Sequence, residues 1–148
     1  MKNVYDRDYV VENIEYLIYE DNFKKLMPFY MRMAVDNFDV DFLRLLLKHG
    51  ANPDINTCAV RGDESDEFVY GDRNSGFLHE LIFTYHTQRI THGEVIEDMM
   101  KSLLDAGADP NRAGDNNAAP IQLCREVAEP IRNLLLKYGA RPEGNEIY

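Results

Sequence analysis

Three leucine-rich stretches of this chain run into the same four-residue close, and that recurrence limits the fold more than any other feature. They are Leu45-Leu46-Leu47-Lys48-His49-Gly50-Ala51-Asn52-Pro53, Ser102-Leu103-Leu104-Asp105-Ala106-Gly107-Ala108-Asp109-Pro110 and Leu134-Leu135-Leu136-Lys137-Tyr138-Gly139-Ala140-Arg141-Pro142. Glycine tolerates the left-handed conformation that closes a helix, and a proline three residues later keeps the helix from resuming. Each Gly-Ala-x-Pro therefore reads as a helix stop followed by a turn, and a recurring stop is the mark of a repeat architecture.

Upstream of each stop, apolar residues return at helical spacing. The first set is Val40, Phe42, Leu43, Leu46 and Leu47, and the second is Val95, Ile96, Met99, Met100, Leu103 and Leu104. The third is Val127, Ile131, Leu134 and Leu135, with Pro130 suited to a first helical turn. A second apolar helical segment precedes each one: Tyr30–Val35, Phe77–Ile82 and Pro120–Cys124. Each unit is thus expected to be a helical hairpin joined to the next by a turn-rich connection. A preceding segment, Tyr9 to Asn22, carries Ile14, Leu17, Ile18 and Tyr19 and reads as an N-terminal capping unit, with Asn22 in the place of the stop glycine.

These residues resemble the ankyrin family, whose unit of roughly 33 residues opens on a turn and a Thr-Pro-Leu-His start to helix one and closes on Gly-Ala. Pro120-Ile121-Gln122-Leu123 and Phe77-Leu78-His79 are degenerate forms of that opening, and the resemblance covers about residues 28 to 143. It implies an all-α, ankyrin-type helical repeat solenoid of about three repeats behind an N-terminal cap. The expected division is cap 1–25, repeat one 28–60, a finger insertion 61–75, repeat two 76–113 with an insertion at 84–93, repeat three 114–143 and a tail 144–148. The family's threonine position holds Phe29, Gly76 and Ala119, none of which has a capping side chain, so a less stable array is expected. The histidine position holds Arg32, His79 and Gln122, which puts regular stacking of the first and third units in question.

Spacing locates two insertions. Gly107 to Gly139 is 32 residues and Gly50 to Gly107 is 57, so about 24 extra residues lie in the second interval. Gly50 to Phe77 takes 27 residues where Gly107 to Pro120 takes 13, and Phe77 to Gly107 takes 30 where Pro120 to Gly139 takes 19. One insertion therefore lengthens the connecting finger, and the other lengthens helix one of the second unit or the loop after it.

The net charge is −10, with 26 acidic against 16 basic residues, so the average field repels a phosphate backbone. Nucleic acid is not an expected partner, and a basic protein is a favoured one. Asp6, Arg7 and Asp8 interrupt the start of the chain where a signal peptide needs an unbroken apolar stretch, and no run of about 18 apolar residues occurs, so a cytoplasmic, non-membrane protein is expected. Cys58 and Cys124 form no CxxC pair and read as reduced thiols.

No constellation for catalysis stands out, and no metal, cofactor or enzymatic activity is expected. His79-Glu80 opens like a zinc-protease motif, but residue 83 is Phe where the second histidine belongs. His86 and His92, six apart, fall on different helix faces and are expected on an exposed loop. The Gly62, Gly71 and Gly76 region lacks the lysine of a phosphate loop, and Asp63-Glu64 and Asp66-Glu67 are not held across a cleft by anything in the sequence.

Binding is the better-supported expectation. In the finger, Asp63, Glu64, Asp66, Glu67 and Asp72 face one arginine, Arg61, while Phe68, Val69 and Tyr70 interrupt them. It reads either as a solvated loop or as a contact finger in which Phe68 or Tyr70 anchors and the acids steer a basic partner. In the insertion from Thr84 to Gly93, Tyr85, His86 and Arg89 suit an interface, and a merely longer helix one serves equally well. The contact surface implied by the resemblance, finger tips plus the exposed side of helix one, falls on Asp36, Asn37, Arg73, Asn74, Phe83, Thr84, Asp115, Asn116, Asn117 and Glu126, at least half of which ordinary solvent exposure explains as well. The expected function is a non-enzymatic binder, most concretely a stoichiometric inhibitor or immunity-type protein for a basic partner, with an adaptor as the alternative. The protein is expected to be a monomer or a weak homodimer through its uncapped end.

Overall fold

The computed structural model describes residues 5–57 and 75–146, with Asp115 by its backbone alone. Among the described residues there are five α-helices and no strand: α1 (Arg7–Leu17), α2 (Asp21–Asp36), α3 (Val40–Lys48), α4 (Phe77–Asp105) and α5 (Glu129–Lys137). Short 3-10 turns at Asp115–Asn117, Pro120–Leu123 and Glu126–Ala128 lie between α4 and α5. The helices pack in a row: α1 and α2 rest on α3, α3 rests on α4, and α4 rests on α5 and on two of the 3-10 turns. No helix among the described residues is long and apolar enough to cross a membrane.

The three stops have one geometry. Gly50, Gly107 and Gly139 have φ of 97°, 104° and 99°, the left-handed region open to glycine. Their N–H groups donate to Leu47, Leu104 and Leu136, and the N–H groups of Ala51, Ala108 and Ala140 donate to Leu46, Leu103 and Leu135. This pair of bonds is the Schellman close, which satisfies carbonyls that a helix end leaves open. The alanines, at most 6% exposed, tuck against the buried leucines that accept their bonds, so each stop also seals the core.

Side chains spaced three and four apart fill that core. Phe23, Leu26, Tyr30, Met31 and Ala34 of α2 face Phe42, Leu43 and Leu46 of α3, and Ile96, Met99, Met100 and Leu103 of α4 continue the same interior. Here the capping unit departs from expectation. Asn22 does not end a helix: α1 stops at Leu17, and Asn22 lies in the first turn of α2, which runs through Pro28. The junction expected between residues 25 and 28 thus falls within one helix. The tertiary contacts of its continuous apolar face outweigh the one bond that Pro28 cannot donate.

The segment 84–93 is helical on either side of Gln88, so His86 and His92 lie on α4 and not on a loop. The helix is not straight. Gln88 leaves helical geometry (φ −124°, ψ 16°), and the Tyr85 hydroxyl stands 3.4 Å from Glu97 Oε2. Twelve residues of straight helix rise about 18 Å, beyond the reach of those two side chains, so the chain folds back at Gln88. α4 is therefore a hairpin without a loop, and the extra residues lengthen its arms. In the last unit the first arm is shorter than expected: Pro120–Leu123 and Glu126–Ala128 are 3-10 turns, separated by Cys124 and Arg125 in extended conformation. Pro130 sits in the first turn of α5.

Candidate functional site

In each unit the chain advances in a first arm (the latter part of α2, the start of α4, the 3-10 turns at 120–128) and returns in a second (α3, the rest of α4, α5). The third residue of each first arm, Arg32, His79 or Gln122, reaches forward to the backbone of the segment that follows. Arg32 Nη2 donates to Thr57 O at 3.3 Å, His79 Nε2 to Ala118 O at 3.1 Å, and Gln122 Nε2 to Asn145 O at 2.7 Å. The other end of His79 and of Gln122 accepts from its own arm's start: Gly76 N–H bonds His79 Nδ1 and Ala119 N–H bonds Gln122 Oε1. Because Nδ1 accepts, the His79 proton resides on Nε2. Three unlike side chains thus do one job, each bonding a backbone carbonyl of the segment that follows.

A second ladder runs along the turns. Asn52 and Asp109, two residues after their stops, accept through their side chains from the N–H groups of Asp54 and Asn111. Those two residues then reach across to the next turn, where the Asp54 carboxylate accepts from Asp109 N–H and Asn111 Oδ1 accepts from Arg141 N–H. The expectation from sequence missed this ladder. Its signal is Asn52-Pro53-Asp54 and Asp109-Pro110-Asn111, which ends at Arg141-Pro142-Glu143, where residue 141 has no acceptor.

On this frame the first arms present one face. Arg32 forms a two-pronged pair with Glu80, 2.7 Å from Nη1 and 2.9 Å from Nη2, reaches Asp36 at 3.2 Å, and lies 5.3 Å from the Phe77 ring centroid. Burial opposes its charge, but Glu80 and Asp36 overcome that and raise its pKa. The same arginine holds the root of the finger, since Thr57 N–H and Oγ donate to Ser75 O at 2.9 and 3.1 Å. Thr57 and Ser75 therefore meet beside Arg32 and Glu80. Three and four residues beyond Glu80, about one helical turn, Phe83 is 49% exposed and the Thr84 hydroxyl donates back to Glu80 O.

The expected contact residues separate into several environments. Asp36, Asn37, Phe83, Arg89, Asn116 and Glu126 are exposed, and Thr84, His86 and Asn117 are half-buried. Asn37 and Asn117 spend their side-chain N–H on Met33 O and Glu146 O, and Arg89 lies near His86 O. Glu126 lines a shallow groove with Cys124, Arg125, Glu129 and Arg132. Tyr85, expected at an interface, is 5% exposed, because the helix that runs from Phe77 through it sets it one turn beyond the buried Leu81 and Ile82. Asp63, Glu64, Asp66, Glu67, Phe68, Tyr70, Arg73, Asn74 and Cys58 lie outside the described residues, as does the side chain of Asp115. Cys124 is a free thiol that burial pushes up to about 11. Among the described residues no group of three or more His, Cys, Asp or Glu is placed to hold a metal ion.

The far end of the α4 hairpin is stapled to both neighbours. His92 stacks on Phe38, with ring centroids 4.1 Å apart, and His86 Nε2 accepts from Arg125 N–H at 3.1 Å. Accepting requires neutral His86, and partial burial together with Arg125 and Arg89 lowers its pKa. A depressed pKa contributes stability that is whole above the ordinary histidine value near 6.5 and is lost as pH falls through the lower folded value. The stability advantage of the wild type over His86→Gln, which cannot titrate, should therefore shrink by about 0.5 kcal/mol between pH 7.5 and pH 5 in urea titrations, the low end for one hydrogen bond at a half-open site. A pH-independent gap would show that folding is not linked to the protonation of His86.

No family model, curated protein or solved structure matches the chain.

Proposed function

We propose that the chain is an ankyrin-type repeat array that binds another protein through the face formed by its first arms and finger, and most concretely that it covers and inhibits a basic partner. The observation that carries this reading is Phe83. It stands half exposed on α4, one helical turn from a carboxylate already paired to Arg32, in a chain whose segment 61–75 is rich in acids. An aromatic anchor inside a charged rim is the arrangement in which few residues supply most binding energy. A net charge of −10 favours rapid encounter with a basic surface. The ladders of Arg32, His79 and Gln122 and of Asp54 and Asn111 support the reading because they hold the arms in fixed register before a partner arrives.

Affinity capture from the source cells with the immobilised chain, followed by calorimetric titration of the partner identified, tests it. A one-to-one complex is expected, weakening with added salt, and Phe83→Ala should weaken it about tenfold without changing the helical circular dichroism spectrum. Salt-independent binding would defeat the basic-partner part, and undiminished binding by Phe83→Ala would remove the first-arm face from the interface. An inhibitor should abolish its partner's activity at equimolar ratio, and an adaptor should leave it unchanged.

A further inference from the structure

We propose that the outer face of α1 is a second docking surface, separate from the first-arm face, and that it takes an arginine-rich segment of a protein partner. The orientation of α1 is set by Val10, Ile14 and Leu17, which are buried, and by Arg7, whose guanidinium bonds Asp39 of the α2–α3 turn at 2.8 Å. That anchoring turns a row of tyrosines outward. Tyr9 and Tyr16, seven residues apart and so on one side of the helix, are 46% and 75% exposed, and Tyr19 just beyond the helix is 79% exposed. Tyr5 extends the row by stacking on Tyr9, with centroids 4.7 Å apart. Tyr5 packs partly against the core, but Tyr9, Tyr16 and Tyr19 face outward, and three exposed aromatics in so short a segment form a patch where scattered apolar residues are the rule.

The charge around the patch selects its occupant. Asp8, Glu12, Glu15, Glu20 and Asp21 are all exposed; Arg7, the one cation from residue 5 to 21, is already held by Asp39 and Asp8, and the exposed Lys24 and Lys25 follow in α2, so five acids stand against two open cations. A second copy of the chain would bring the same acids against these, so self-pairing is opposed. A guanidinium satisfies both halves of the surface: its plane stacks on a tyrosine ring while its N–H fork bonds a carboxylate beside it. An ammonium gains the charge but less from the ring, so the face should distinguish arginine from lysine.

The test uses the full chain and a fluorescently labelled arginine–glycine repeat peptide, with the lysine–glycine peptide of equal length for comparison. The arginine peptide should bind, the lysine peptide should bind several-fold more weakly, and the double substitution Tyr16→Ser with Tyr19→Ser should cut affinity for the arginine peptide about fivefold. Both rings are exposed, so the circular dichroism spectrum should not change. Phe83→Ala should leave this binding intact, which separates it from the face proposed above. The proposal is overturned if the arginine peptide does not bind, if the two peptides bind equally, if the tyrosine variant binds as well as the wild type, or if Phe83→Ala abolishes binding. It is likewise overturned if sedimentation shows a dimer that the tyrosine substitutions dissociate.

Discussion

Replacing His79 by alanine should lower the unfolding free energy by about 3 kcal/mol, a fall in Tm of about 6–12 °C for a chain of this size. The imidazole is 1% exposed and holds two backbone groups from different parts of the chain, the N–H of Gly76 and the carbonyl of Ala118. Alanine leaves both without this partner and opens a void where the ring lay, and each unsatisfied buried group costs about 1–3 kcal/mol. The surroundings are shaped to the ring: a Cβ on Gly114 would stand 2.9 Å from His79 Nε2. His79→Gln should recover more than half of the loss, because Gln122 already spans the equivalent groups, Ala119 N–H and Asn145 O, in the next unit. Urea denaturation of the three proteins decides the matter. A loss below about 1 kcal/mol for alanine, or equal losses for alanine and glutamine, would show that hydrogen bonding here is not what joins the units.

The second large effect is expected at Glu80. Glu80→Ala removes both strong bonds of an arginine whose side chain is 13% exposed, leaving Asp36 on the surface and Thr57 O to hold it. Removing one member of a buried pair costs about 3–5 kcal/mol, and the partial exposure of Glu80, 26%, reduces that here to about 2 kcal/mol. The cost arises mainly from the charge left behind, so Arg32→Met combined with Glu80→Leu should be far closer to wild type than Glu80→Ala alone. The double-mutant cycle measures this directly in urea. Additive losses would mean that the pair is a surface contact without consequence for stacking.

What local chemistry determines was legible in the amino-acid sequence. Gly50, Gly107 and Gly139 announce their helix ends because the left-handed residue and its two hydrogen bonds lie within six consecutive residues. The apolar faces of α2, α3, α4 and α5 follow from a period that helix geometry imposes, whatever the helices pack against. Phe83 could be placed on an exposed side only through the family resemblance. The burial of Tyr85 was not legible there, because it depends on α4 continuing past residue 84 and folding back at Gln88, where Glu97 comes within reach of the phenol.

Tertiary structure alone decided which distant groups meet. The resemblance sets Arg32, His79 and Gln122 at one position of the unit, but their chemistry differs, and the carbonyl each bonds, 25, 39 or 23 residues ahead, is fixed by packing. The cross-turn bonds of Asp54 and Asn111 span 55 and 30 residues, and the α1 tyrosines became a surface only when Val10, Ile14 and Leu17 turned inward. Helix stops and helix faces are properties of a few neighbouring peptide units, so the order of residues dictates them. A carbonyl accepts from any suitable donor that packing delivers, so its partner is settled by how the arms stack.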